Sequence, residues 1–310
     1  MNGYSVSERQ LEQPRRATWL AVLALIALAW IWSYNWIVTK SVLRYVGALD
    51  FAALRCLLGG ALLLAALPLT GRSLKPPLWR PALAIGLLQV VGMTGLSQLA
   101  LVAGDVGKTA VLVYTMPFWM ILLAALFLNE KPRPSQYLAI AIGALGLLLV
   151  LQPWHWHGSL LSSLLALASG MAWAGGSVVA KRAFRHQVVD LLSLAAWQMM
   201  LGALVLAALA AATHRTPIVW SRYMVLALSY NVVLATALGW GLWLFILRAL
   251  PAGVAGLSTL VIPVASVLLA WWLLGEQPDL AEGSGIALIL LALTLMGSDT
   301  WRPGLRRFFR

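Results

Sequence analysis

Charge is scarce in this chain. Asp, Glu, Lys and Arg make up 10% of its 310 residues, against about 25% in a soluble domain. With 61% hydrophobic residues and a mean hydropathy of +0.86, it has too little polar surface to remain in water as a monomeric globule. The composition is that of a polytopic membrane protein. Cysteine is almost absent: the single Cys56 lies in an apolar run, which excludes an intrachain disulfide and a cysteine-based metal site. Histidine is rare too. His155, His157, His186 and His214 all fall between apolar runs, and the His155-Trp156-His157 pair has no third ligand nearby, so no metal and no cofactor are expected. Carboxylates are missing where they would matter most. Asp50, Asp105, Glu130, Asp190 and Glu276 all sit at expected helix ends, leaving none at mid-membrane depth for a proton relay or an intramembrane active site. The net charge of +12 does not point to nucleic acid, because the basic residues are spread through short gaps rather than gathered in a patch.

What is present is apolar length. A bilayer core about 30 Å thick needs about 20 apolar residues in a helix. The runs are continuous and Leu/Ala-rich rather than alternating, which selects helices over a barrel. Ten are expected, over about 17–39, 48–69, 79–103, 107–128, 134–152, 158–181, 190–212, 220–247, 252–274 and 279–298. The first is too long for a signal-peptide core and is read as a retained helix. With a cytoplasmic N-terminus, sixteen of the 22 Lys and Arg fall on the inside and five on the outside, with Arg55 within the second helix. That bias places both termini in the cytoplasm.

The chain then repeats itself. Val113-Tyr114-Thr115-Met116-Pro117 is followed thirteen residues after its proline by Glu130, and Thr259-Leu260-Val261-Ile262-Pro263 is followed by Glu276 at the same spacing. Lys40 and Lys181 end the first helix of each half, Asp50 and Asp190 begin the second, and the Gly60–Leu67 octapeptide echoes Gly202–Leu209. Five helices per half means that the second half enters the membrane upside down, an inverted-topology repeat. Basic residues after Glu130 (Lys131, Arg133) and acidic ones after Glu276 (Asp279, Glu282) agree. The expected architecture is an all-α membrane protein. It has a cytoplasmic segment over 1–16, repeats over 17–152 and 153–298, and a basic cytoplasmic tail over 299–310.

The residues Trp32-Ser33-x-Asn35-x4-Lys40, Leu54-Arg55, Tyr114-x2-Pro117, and Glu130 with Gly143 and Gly146 resemble the EamA-type transporters of the drug/metabolite transporter superfamily. Trp173, Lys181, Pro263, Glu276 and Gly285 carry the resemblance through the second half. Within the superfamily the chain is most similar to the bacterial amino-acid exporters of the YddG type. The resemblance implies a ten-helix inverted repeat around a central cavity, moving small metabolites by alternating access in the bacterial inner membrane. One departure stands out: alignment through Gly60 and Gly202 puts Trp197 where the first half has Arg55.

Site candidates follow from depth. A proline inside a helix removes a hydrogen bond and frees the carbonyl four residues back. Pro117, about 15 Å into its helix at 1.5 Å per residue, is expected at mid-bilayer with Val113 freed. Pro263 is expected to do the same with Thr259, and the two are read as hinges. Polar and aromatic residues at similar depth are read as substrate-binding: Asn35, Thr94, Gln98, Tyr114, Met116, Trp173, Ser177, Trp240 and Thr259. Aromatic walls with a few hydrogen-bonding groups suit an amphipathic organic ligand. Arg55 can snorkel, pair with a carboxylate or meet a substrate, and structural pairing is favoured. Glu130 and Glu276 are read as hairpin staples, and Gly143 and Gly285 as close-packing positions on scaffold helices that also offer a dimer face. The expected function is export of small metabolites, amino acids including aromatic or apolar ones, by a monomer or homodimer. A multidrug or other metabolite exporter is the alternative, and an intramembrane enzyme or non-transporting scaffold the different-class readings.

Overall fold

The computed structural model describes residues 6–130, 134–151, 160–213, 217–250, 255, 256, 259 and 261–308. Lys131, Pro132, Arg133, Pro153, His155, His157, His214, Pro251 and Ser258 lie outside the described residues. No strand occurs among the described residues. Ten apolar helices follow one another: α1 Val6–Val42, α2 Ala48–Leu69, α3 Trp79–Ala103, α4 Val106–Phe127, α5 Pro134–Leu151, α6 Leu160–His186, α7 Leu191–Ala212, α8 Arg222–Ala249, α9 Val261–Leu274 and α10 Leu280–Phe308. Seven of them are long and apolar enough to cross a membrane; α5, α9 and α10 contain shorter apolar stretches.

Two boundaries differ from expectation. The helix α1 begins at Val6, inside the segment expected to precede it, and α10 runs on to Phe308 through the expected tail. Glu, Gln, Arg and Leu, which dominate the start of α1, are strong helix formers, so polarity ends a membrane span without ending a helix.

Glycine sets how closely the helices approach. The α-carbon of Gly202 on α7 rests on the carbonyl of Gly86 on α3, where an added Cβ would lie 2.5 Å from that oxygen. Gly59 on α2 meets Thr236 of α8 in the same way. The longest packed seams are α2 along α7 and α5 along α10. On the second seam Gly146 abuts the Gly285 carbonyl and Ile289, while Gly143 makes room for the Phe118 ring of α4. These small-residue faces are therefore filled from within the chain. Large apolar side chains such as Trp272, Leu126 and Trp30 cover the outside, as suits a lipid-facing surface.

Both α3 and α8 contain a π-helical stretch, Gly86–Gly95 and Asn231–Leu238. Such stretches add a residue to the turn and redirect the side chains beyond it, and they concentrate at functional sites. In α4 the helix stops at Val113 and restarts at Met116. Pro117 is thus in the first turn of the second segment, where its missing N–H costs nothing, rather than in a helix interior. Pro263 likewise lies in the first turn of α9. The break itself is closed by Thr115, whose hydroxyl and N–H both donate to Leu112 O, at 2.7 and 3.2 Å. Thr259 makes the same pair of bonds to Gly256 O.

Charged side chains fasten the helix ends. Lys40 Nζ donates to Leu101 O and Gly104 O at the end of α3 (2.7 and 2.9 Å), and Lys181 Nζ to Leu247 O and Leu250 O at the end of α8 (2.8 and 2.6 Å). A cation is the favoured partner for the unsatisfied carbonyls of a helix C-terminus. Glu276 accepts from the N–H groups of Val106 and Gly107 at 2.9 and 3.0 Å, holding the start of α4, and Lys108 pairs with Glu282 at 2.6 Å. Glu130 pairs with Arg185 of α6, which also donates to Leu128 O. Each glutamate thus ties its hairpin to another helix.

Candidate functional site

The site begins with a stripe on α1. Trp32, Asn35, Trp36 and Thr39 recur at helical spacing and so share one face, and all four line a cavity between α1, α2, α3, α4 and α8. A second stripe on α3, Thr94, Ser97, Gln98 and Leu101, faces it with Met93 alongside. Arg55 enters from α2, Tyr114 from the break in α4, and Ala235 and Trp240 from α8. The cavity itself is about 40 Å³; the 460 Å³ of space around it includes open solvent.

Its floor is aromatic. The Trp32 ring lies 5.5 Å from Trp173, 5.6 Å from Trp240 and 6.5 Å from Trp243, and Trp173 lies 5.3 Å from Tyr114. Most of these contacts are edge-to-face, the arrangement that ring quadrupoles prefer. The Trp32 indole donates to Ala235 O at 3.0 Å, a backbone oxygen within the π stretch of α8. The redirected turn thus supplies the acceptor that orients the central ring.

The polar wall is incompletely satisfied. Asn35 Oδ1, Thr39 Oγ1, Gln98 Oε1 and Arg55 Nε are buried without hydrogen-bond partners. Ser97 donates to Thr94 O and Thr94 to Gln89 O, so their hydroxyl protons are engaged. Arg55, 7% exposed, donates from Nη1 to Asn231 Oδ1 at 2.8 Å, and no carboxylate lies within 4.0 Å of it among the described residues. The expected pairing with a carboxylate is replaced by a neutral amide.

Of the nine expected substrate-binding residues, Asn35, Thr94, Gln98, Tyr114 and Trp240 come together in this wall. The other four lie elsewhere. Trp173 is fully buried beneath the cavity in the aromatic floor. Ser177 donates to Trp173 O and accepts from Gln89 Nε2, joining α6 to α3. Met116 is packed at the restart of α4, and Thr259 is bonded to Gly256. Trp32, Trp36, Thr39, Met93, Ser97, Leu101 and Ala235 also line the wall, none of them expected as a ligand contact. The signal that finds all but Met93 and Ala235 is the pair of i, i+3, i+4, i+7 stripes, 32-35-36-39 and 94-97-98-101.

Ten apolar helices around a part-polar, aromatic-lined cavity describe a multi-pass membrane transporter. The EamA-like transporter family matches residues 19–152 and again residues 160–298, and the chain belongs to that family. It is 27% identical over 262 residues to the "Uncharacterized transporter YoaV" of Bacillus subtilis, covering 83% of this chain and 89% of that protein. It is 29% identical over 278 residues to the "Uncharacterized inner membrane transporter YedA" of Escherichia coli, covering 88% and 89%. Over 291 residues it is 27% identical to the "Probable amino-acid metabolite efflux pump" of Salmonella typhimurium, covering 90% and 94%. A protein crystal structure superimposes with a TM-score of 0.68 at 21% identity, covering 89% of this chain and 96% of that one, a likeness of fold.

Proposed function

We propose that the protein exports small amphipathic metabolites, foremost amino acids with aromatic or other apolar side chains, across the bacterial inner membrane by alternating access. The observation that carries this reading is the cavity itself: aromatic rings on one side, a guanidinium and unsatisfied amide and hydroxyl groups on the other. Rings offer apolar surface, and fixed polar groups orient a ligand that has both characters. The similarity to a probable amino-acid metabolite efflux pump supports it, as does the resemblance to the YddG-type exporters. In this proposal the two family matches are inverted five-helix halves with both termini cytoplasmic, and the prolines of α4 and α9 lie beside the breaks about which the halves rearrange. The described cavity wall contains no Asp or Glu, which favours facilitated diffusion over obligatory proton exchange.

The test is uptake into proteoliposomes across an amino-acid panel, with and without a pH gradient. Saturable flux of apolar and aromatic amino acids, indifferent to the gradient, is expected. Flux of a cationic dye without amino-acid flux would move the protein to the multidrug reading, and flux driven only by a proton gradient would replace the facilitator mechanism.

A further inference from the structure

We infer that Arg55 is the carboxylate anchor of this transporter, so that a free carboxylate is what the site requires of its cargo and a cationic amphiphile is what it refuses. The inference rests on the small-metabolite reading above and names the chemical class within it.

The observation is a buried cation without a counter-charge. Arg55 is 7% exposed, yet among the described residues its guanidinium meets the neutral amide of Asn231 and the Cys56 thiol and no carboxylate. Asn231 is held for that role by its own bond from Nδ2 to Ala227 O at 3.0 Å. The Arg55 Nε has no partner, and the rest of the head meets the Cys56 thiol and the cavity. A guanidinium carries five N–H donors in a planar fork that matches a carboxylate with two parallel bonds. Charges in such surroundings are ordinarily paired, because desolvation is otherwise uncompensated. No protein carboxylate stands beside this cation among the described residues, and Arg55 is one of the residues that line the cavity.

The neighbours complete the class. Asn35 Oδ1, Thr39 Oγ1 and Gln98 Oε1 are unpartnered acceptors on the same wall, and the Trp36 and Tyr114 rings stand next to them. Neutral oxygens and ring faces can receive an ammonium without a carboxylate. The set fits a zwitterion with an apolar side chain. For a lone cation it offers a repelling charge and no opposite one. The described second half has no equivalent on α7: the corresponding turn carries Trp197, whose indole donates to Leu74 O, and Gln198, a neutral amide. One anchor serves the whole cavity.

The test compares phenylalanine, phenylalaninamide, phenethylamine and 3-phenylpropionate in proteoliposomes of the full chain. Four variants are measured: wild type, Arg55→Gln, Arg55→Lys and Asn231→Ala. Wild type is expected to move phenylalanine about tenfold or more faster than its amide or amine, in line with a charge-assisted fork. Arg55→Gln should lower phenylalanine flux and bring the acid-to-amide ratio close to one, Arg55→Lys should keep part of the preference, and Asn231→Ala should keep the ratio while lowering flux. A change in ratio is something a merely structural arginine would not produce. Should Arg55→Gln fail to fold, the wild-type ratio and Arg55→Lys still decide. Equal wild-type flux of acid and amide overturns the anchor while leaving amino-acid transport standing, as does an undiminished ratio in Arg55→Gln. Dye flux with none of the four compounds moved overturns both.

Discussion

The two halves of the chain use the same fasteners and different linings. Lys40 and Lys181 each bind two carbonyls three residues apart at the end of a neighbouring helix. Glu130 and Glu276 each donate one backbone bond, from their own N–H to the carbonyl six residues back, Ala124 O and Ala270 O. Thr115 and Thr259 close equivalent turns. The cavity wall does not repeat. Among the described residues nearly all of it comes from α1 to α4, with Ala235 and Trp240 from α8, while Trp173 and Trp243 of the second half fill the floor. What recurs is what holds helices at fixed distances; what does not recur is what a ligand would meet. Residues present once, such as Arg55, are where selectivity has to be sought.

That division can be broken most sharply at Trp173. As a floor residue with no exposed surface, its replacement by Ala is expected to cost about 3–5 kcal/mol, read as a large fall in unfolding temperature in detergent. Unchanged stability with lost flux would make it a ligand contact and return the second half to the lining. The paired lysines come next. Lys40→Met and Lys181→Met should each cost about 1.5–3 kcal/mol for the charge-assisted bonds lost, by similar amounts. A several-fold inequality in denaturation midpoints would end their equivalence. The smallest effects are expected at the glutamates, and they should differ. Glu276→Gln weakens two bonds to the α4 N-terminus and should cost about 1 kcal/mol. Glu130→Gln loses a half-exposed ion pair with Arg185 worth about 0–1 kcal/mol. Chemical unfolding of both variants in one detergent orders them, and the reverse order would show that Glu130 carries the greater load.

The periodic and paired features were legible before any coordinates. Apolar length located the helices, and the thirteen-residue Pro-to-Glu spacing and the two lysines marked the repeat, but that these residues tie one helix to another was not legible. Direction was harder. Ser177 and Ser97 are alike in type and expected depth, yet one is spent between α6 and α3 and the other faces the cavity. Depth along a helix says nothing of azimuth, which has to be read from stripes such as 94-97-98-101, and Ser177 belongs to no such stripe. The π-helical stretches were not legible at all. Each changes the turn by a single residue, and Gly86, Gly95 and Thr236 within them pack against other helices, contacts that sequence alone does not display. They also decide which residues of α3 and α8 reach the cavity. The prolines were placed correctly in sequence and wrongly in context, since the chain breaks at Tyr114 and Thr115 before Pro117 is reached.

The aromatic floor has an optical consequence. Four indoles, Trp32, Trp173, Trp240 and Trp243, are linked by five ring contacts with centroids 5.2–6.5 Å apart and planes inclined by 41–71°, with Tyr114 against Trp173. Excited states on rings that close and asymmetrically arranged are coupled, so the protein carries its own chromophore at the point where the halves meet. Near-ultraviolet circular dichroism and intrinsic emission therefore report the geometry of that point directly, without a label, whenever cargo or a change of membrane-facing conformation moves one ring relative to another.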